Sequence, residues 1–192
     1  MVDTSSRYLT VVAKNGESLI IRHIADCAMQ HSVILMDEVE AAFEEAGLTP
    51  AECDFFGAVT GPGSFTGIRI GIATAKGLAV GAGKQLLGLT SFQLIAYNVN
   101  NDNFCVVIDA AHSHFYAQGF GNNAFPPAYL SLEEVQKLGC PLYGFEELPL
   151  SDYTRLDVKD CLYPAILKSE GNLSDDISAL YVRKSQAEEG RK

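Results

Sequence analysis

Three things are missing from this 192-residue chain, and each absence removes a class of function. No apolar run reaches the roughly 20 residues of a membrane span. The first residues lack the charged and apolar regions of a secretory signal. A soluble, cytoplasmic protein without membrane attachment is therefore expected. No CxxC pair occurs among the five cysteines, Cys27, Cys53, Cys105, Cys140 and Cys161, which are odd in number and widely spaced. Free thiols in a reducing compartment are the expected state. Basic residues are also scarce: 14 Lys and Arg stand against 24 Asp and Glu, for a net charge of −10. The first hundred residues carry 6 basic and 10 acidic side chains and the remainder 8 and 14, so neither half is a basic module. Neutralising phosphates needs a clustered basic face, which argues against this chain alone gripping nucleic acid.

What is present is a core, since 47% of the residues are hydrophobic, enough for one large domain or two small ones. The most informative stretch runs from Gly61 to Ala79. An apolar strand, Phe55 to Val59, leads into it. Gly61, Pro62 and Gly63 break the extended run, and Ser64 or Thr66 can cap a helix. At about 100° per residue, Gly67, Gly71, Ala75 and Leu78 share one face while Ile68, Ile72 and Ala79 lie beside it. Arg69 and Lys76 occupy a narrow polar wedge. A helix this apolar is buried on more than one side. Glycine inside a helix costs about 1 kcal/mol relative to alanine, so Gly71 and Gly77 together forfeit about 2 kcal/mol. Two readings of that loss stay open: tight packing on the chain's own sheet, or a small-residue seam for a partner helix.

Nucleotide and hydrolase motifs are not met. The Gly-Lys-Ser/Thr ending of a phosphate-binding loop is absent, and Thr66 stands where a dinucleotide fingerprint needs its third glycine. Gly63-Ser64-Phe65-Thr66-Gly67 lacks the spacing of a nucleophile elbow. His112 and His114 share a strand face, but no acidic or thiol ligand in nearby sequence completes a metal set. The acidic pairs Glu44-Glu45, Glu133-Glu134, Glu146-Glu147 and Asp175-Asp176 read as solvated surface.

Along the chain, Tyr8 to Ala13 and Ser18 to Ile24 flank Asn15-Gly16, a hairpin signal. His31 to Ala46 is an amphipathic helix with a Met36, Val39, Phe43, Ala46 stripe, stopped by Gly47. A strand at Gln85 to Leu89 and a helix from Ser91 to Tyr97 follow. The polar run Asn98 to Asn103 marks a boundary between an N-terminal subdomain, 1–100, and a smaller C-terminal one, 101–192. In the latter, Phe104 to Ala110, His114 to Phe120 and Leu142 to Phe145 are strands. Ser131 to Leu138 and Asp160 to Ser169 are helices.

The Gly61 to Ala79 stretch resembles the signature of the TsaB (YeaZ) family. Asp3-Thr4-Ser5, His31, Gly88-Leu89-Thr90-Ser91, Val106 to Ala110 and Ala179 to Lys184 fit it in order. The resemblance implies an α/β protein of the actin-like ATPase (ASKHA) fold, with two related subdomains, the second degenerate. It implies no metal, because catalytic relatives of the TsaD type carry two histidines four apart where this chain has His31 and Leu35. It implies no resident cofactor. Asp3, Thr4 and Asp109 are vestiges of the phosphate hairpins, for weak nucleotide binding at most, within a complex. The function implied is that of a non-catalytic assembly subunit of the tRNA threonylcarbamoyladenosine transferase, activating TsaD as a heterodimer and helping recruit TsaE. It would meet tRNA only through the complex, and a homodimer could use the same surface. The expected interface is Gly63, Phe65, Gly67, Ile68, Gly71, Ile72 and Ala75, with His31 and Leu35. An active actin-fold ATPase, a glycoprotease-like metallopeptidase and a self-associating scaffold unrelated to tRNA are the alternatives.

Overall fold

The computed structural model describes residues 1–183 and builds two five-stranded sheets of matching order. The first holds β1 (Val2–Asp3), β2 (Leu9–Asn15), β3 (Ser18–Ile24), β4 (Phe55–Val59) and β5 (Gln85–Leu89), arranged β3-β2-β1-β4-β5. Its first three strands are antiparallel, and β1, β4 and β5 are parallel. The β2–β3 turn is the two residues between Asn15 and Ser18, and Gly16 takes the left-handed conformation (φ 55°) such a turn requires.

The second sheet holds β6 (Phe104–Asp109), β7 (His114–Phe120), β8 (Phe125–Ser131), β9 (Leu142–Gly144) and β10 (Tyr153–Arg155). Its order, β10-β9-β6-β7-β8, is the first sheet's arrangement repeated. The helices between the strands are not repeated at full size. In the first half α1 (His31–Ala46) and α2 (Phe65–Ala82) run 16 and 18 residues, followed by α3 (Ser91–Ala96). In the second, α4 (Leu132–Gln136) has 5 residues, no helix joins β9 to β10, and α5 (Val158–Leu167) closes the series. This is a mixed α/β fold of two related halves, the second reduced.

Each long helix begins and ends for local reasons. The Ser64 hydroxyl accepts the Gly67 N–H at 3.2 Å to cap α2, which starts at Phe65, two residues before the spacing predicts. Gly47 (φ 62°) and Gly83 (φ 67°) end α1 and α2 in left-handed caps. The expected α1 stripe needs correction: Leu35, Val39, Ala42 and Ala46 are buried, whereas Met36 is 51% exposed. Ile34, Leu35 and Met36 are all apolar, so spacing alone does not fix the rotation, and packing on β2 and β3 decides it.

A core of Val59, Leu87, Phe92, Leu94, Phe104, Val106 and Leu162 joins the halves. A second core lies beneath α1 and α2. The chain then returns to the first sheet: Ser174 exchanges backbone hydrogen bonds with Leu86 (2.8 and 2.9 Å), and the Leu180 N–H reaches the Thr60 carbonyl (2.8 Å). Arg183 ends the described chain with a hydrogen bond to the Tyr129 hydroxyl (2.7 Å), and Lys184 lies outside the described residues. Among the described residues no helix is long and apolar enough to cross a membrane.

Candidate functional site

The glycine-rich helix α2 carries two rows of small residues, and the fold separates their uses. The first row, Gly67, Gly71 and Ala75, faces inward. A side chain at Gly67 would overlap the Thr4 carbonyl oxygen, and one at Gly71 would place its Cβ 2.5 Å from Thr4 Oγ1. The Thr4 hydroxyl donates to the Gly67 carbonyl at 2.7 Å, which fastens the end of β1 to the helix. Ile68, Ile72, His31 and Leu35 are buried in the same region.

The expected partner seam is therefore corrected. Gly67, Ile68, Gly71, Ile72, Ala75, His31 and Leu35 are covered by this chain's own first strand and helices, so they are closed to a partner. Gly63 and Phe65 are only partly exposed: Gly63 abuts Ser5, and Phe65 lies under Arg69 and against Tyr181. His31 is structural here, its Nε2 donating to the Tyr8 carbonyl at 2.9 Å.

The second row, Ala73, Gly77 and Gly81, repeats every four residues on the opposite, exposed side. A Cβ at Gly77 or Gly81 would meet nothing within 4 Å. Val80 beside them is 83% exposed, and on the neighbouring α1 Val33 is 71% exposed. Met36 on α1 is half exposed and Ile70 on α2 partly so, so both of these adjacent helices carry exposed apolar side chains, and α2 carries exposed small residues as well. Exposed single hydrophobics need no explanation, but several on two adjacent helices make a candidate interaction surface. The sequence contained both small-residue rows. Which one faces the sheet depends on Thr4, sixty residues away, and no local signal reveals that.

The second candidate is the cleft between the halves, about 640 Å3, lined by Ser5 to Tyr8, Gly63, Ser64, Asp109 and Phe145 to Leu148. The expected vestigial nucleotide residues lie at or beside it, and of the three Asp3 and Thr4 are already engaged inside the chain. Asp3 is fully buried, its carboxylate accepting the Ser5 N–H (2.9 Å) and the Tyr8 hydroxyl (3.2 Å). Burial pushes its pKa up, against those hydrogen bonds and nearby His31. Thr4 is turned into α2. Asp109 is exposed and accepts the Ala111 N–H (2.9 Å). The turn beyond it, Ala111, His112 and Ser113, is left-handed throughout (φ 62°, 53° and 58°) without a glycine.

Glu146 is the cleft residue that sequence reasoning missed by assigning it to solvated surface. Its Oε1 accepts the Ser6 hydroxyl at 3.2 Å, while Oε2 is sealed from solvent without a hydrogen-bond partner. Burial drives its pKa up, and Asp109 and Asp3 add to the shift. The two cleft arginines each pair with a carboxylate of the same lining, Arg7 with Asp26 (2.9 Å) and Arg155 with Glu147 (2.7 Å). Acidic side chains outnumber basic ones in the lining, Asp26, Asp109, Glu146, Glu147 and Asp157 against Arg7 and Arg155.

A stability test follows from Glu146. A carboxyl whose pKa is raised on folding holds its proton more tightly in the native state. Stability then falls as pH climbs from the ordinary 4.5 through the folded value. Glu146→Gln is expected to raise the thermal midpoint at pH 7 by about 2–4 °C, with the gap closing below about pH 4.5. Parallel melting curves across this range check it, and a pH-independent gap would contradict the assignment.

Among the described residues no group of three or more His, Cys, Asp or Glu is placed to hold a metal ion. His114 stacks on Tyr129, ring centroids 4.7 Å apart, and its Nδ1 donates to the His112 carbonyl (2.8 Å).

The model of the family "TsaD: tRNA N6-adenosine threonylcarbamoyltransferase" matches residues 25–152, which include both α1 and α2. The chain is 28% identical over 110 residues to the tRNA threonylcarbamoyladenosine biosynthesis protein TsaB of Escherichia coli, covering 57% of this chain and 47% of that protein. It is 29% identical over 97 residues to the TsaB of Bacillus subtilis, covering 50% and 42%. The chain thus spans about half the length of the curated relatives it matches. The solved structure of YeaZ from Pseudomonas aeruginosa superposes with a TM-score of 0.74 at 20% identity, covering 94% of this chain and 97% of that one. That likeness establishes the fold, with its two sheets of repeated order. By the family match the chain belongs to the TsaD-type family, and within it the chain is similar to the curated proteins named TsaB.

Proposed function

We propose that this chain serves tRNA threonylcarbamoyladenosine synthesis as a non-catalytic subunit that docks on TsaD through the exposed α1–α2 face and activates it. The observation that carries the reading is the open row of Ala73, Gly77 and Gly81 on α2, with Val33, Met36 and Val80 exposed on the same two helices. Exposed glycines lower helix stability by about 1 kcal/mol each relative to alanine. Among the described residues they gain no contact in return, because no atom lies within 4 Å of a Cβ placed at either glycine. A second helix brought to the usual interaxial separation of about 8–10 Å uses the missing side chains.

The family to which α1 and α2 belong is named for the transferase itself. TsaD is therefore expected to carry the counterpart helix pair, and two related pairs can meet about an approximate two-fold axis. The carboxylate-lined cleft supports the non-catalytic half of the reading, with no cofactor of its own and nucleotide bound weakly at most within the complex. TsaE and tRNA join through that complex. When TsaD is absent, two copies of this chain would pair through the same face.

Reconstitution on unmodified tRNA tests this. TsaD and TsaE from the same organism should form threonylcarbamoyladenosine only when this chain is present. Undiminished modification without it would overturn the activating role.

A further inference from the structure

Cys105 and Cys140 are both buried in the core of the second half, with Sγ atoms 3.1 Å apart. Cys105 lies on β6, and Cys140 stands two residues before β9, the parallel neighbour of β6. The register is held on both sides of the sulfurs: the Cys105 N–H donates to the Pro141 carbonyl (3.0 Å), and Cys105 pairs with Leu142. A covalent S–S bond is about 2.05 Å, so the two sulfurs need to approach by about a further 1 Å. Cys27, Cys53 and Cys161 have no such partner sulfur among the described residues.

We propose that Cys105 and Cys140 form a modification site, a thiol pair that small-molecule disulfides oxidise to an internal disulfide. Cys140 is the more exposed residue of the pair, 9% against 0% for Cys105, so Cys140 is assigned the first contact with the oxidant. Its thiolate attacks one sulfur of the small disulfide, and the S–S bond of the oxidant breaks to release the first small thiol. The Cys105 thiolate then attacks the Cys140 sulfur and expels the second. Two protein thiols are oxidised, one small disulfide is reduced to two thiols, and the two thiol protons pass to the leaving thiolates.

The Cys140 thiol donates its hydrogen bond to the Cys105 sulfur, and burial holds the Cys105 thiol up at about 12. The second step needs the Cys105 thiolate and is therefore faster in alkali. The product ties the start of β6 to the chain leading into β9. These are the strands that carry Asp109 and lead to Glu146 at the cleft. Oxidation therefore rigidifies one wall of the cleft and leaves the α1–α2 face untouched.

Oxidised glutathione on the full chain, followed by alkylation and peptide mapping, tests the proposal. The expected product has two hydrogens fewer, a Cys105–Cys140 cross-linked peptide, and a thermal midpoint raised by roughly 5–10 °C that reductant reverses. Cys105→Ser should instead stop at one glutathionyl group on Cys140, and that trapped intermediate identifies the attacking sulfur even if the disulfide form proves unstable. Cys105 and Cys140 remaining fully alkylatable, with glutathione confined to other cysteines, would overturn the proposal.

Discussion

Replacing Gly77 with arginine is expected to weaken association with TsaD by about 100-fold or more while the free chain keeps its fold. A Cβ at this position meets nothing within 4 Å, so the new side chain extends into solvent in the isolated protein. Arginine is also a far better helix former than glycine, and the variant should melt slightly above the parent, by up to about 1 kcal/mol of added stability. In a complex the same side chain sits where two helices need to touch. The cost is then a steric clash together with a guanidinium buried without a partner. Titration calorimetry against TsaD, with a melting curve on the free variant, separates the two effects. Binding equal to the parent's would show that partners dock elsewhere. Ala73→Arg, four residues earlier on the same exposed row, should behave alike.

Gly71→Leu is expected to give the opposite pattern, a chain that loses roughly 3 kcal/mol or more of stability, or does not fold. Its Cβ would stand 2.5 Å from Thr4 Oγ1 and 3.6 Å from Val2 Cγ2, before the rest of the leucine is accommodated. Thr4 cannot swing aside without giving up its hydrogen bond to the Gly67 carbonyl, and β1 is held between β2 and β4. Urea unfolding followed by circular dichroism measures the loss. A midpoint near the parent's would mean that β1 does not lie against α2. The contrast between two glycines six residues apart on one helix carries the distinction between a packing glycine and a docking glycine.

Much of this architecture was legible locally, because short-range chemistry determines it. The strand–turn–helix at Phe55 to Ala82 announced itself through an apolar run, a Gly-Pro-Gly break and a serine cap, and β3 and α1 fall where alternation and periodicity put them. β8 escaped notice because it contains Pro126 and Pro127, tolerated since the strand lies on a sheet edge where an N–H can be dispensed with. β10 is three residues long, too short for any alternation to show. α5 begins at Val158, behind an Asp157 cap, two residues before the expected start.

The site was harder to read for a different reason. Periodicity indicates that a helix has faces, but the side that meets the sheet is set by long-range contacts such as Thr4 with Gly67, and the inner glycines were assigned to a partner. Glu146 looked like one of many surface acids until the fold placed it beside Asp3, across 143 positions of sequence.

Radical footprinting of Met36 is the most direct measurement of where TsaD lands. This methionine is half exposed on α1, the helix adjacent to α2, and its oxidation rate reports solvent contact there. Docking through the α1–α2 face should slow its oxidation several-fold when TsaD is added to the parent chain, and leave it unchanged when TsaD is added to Gly77→Arg. Oxidation at the free rate in a parent mixture that sediments as a complex would contradict docking through that face.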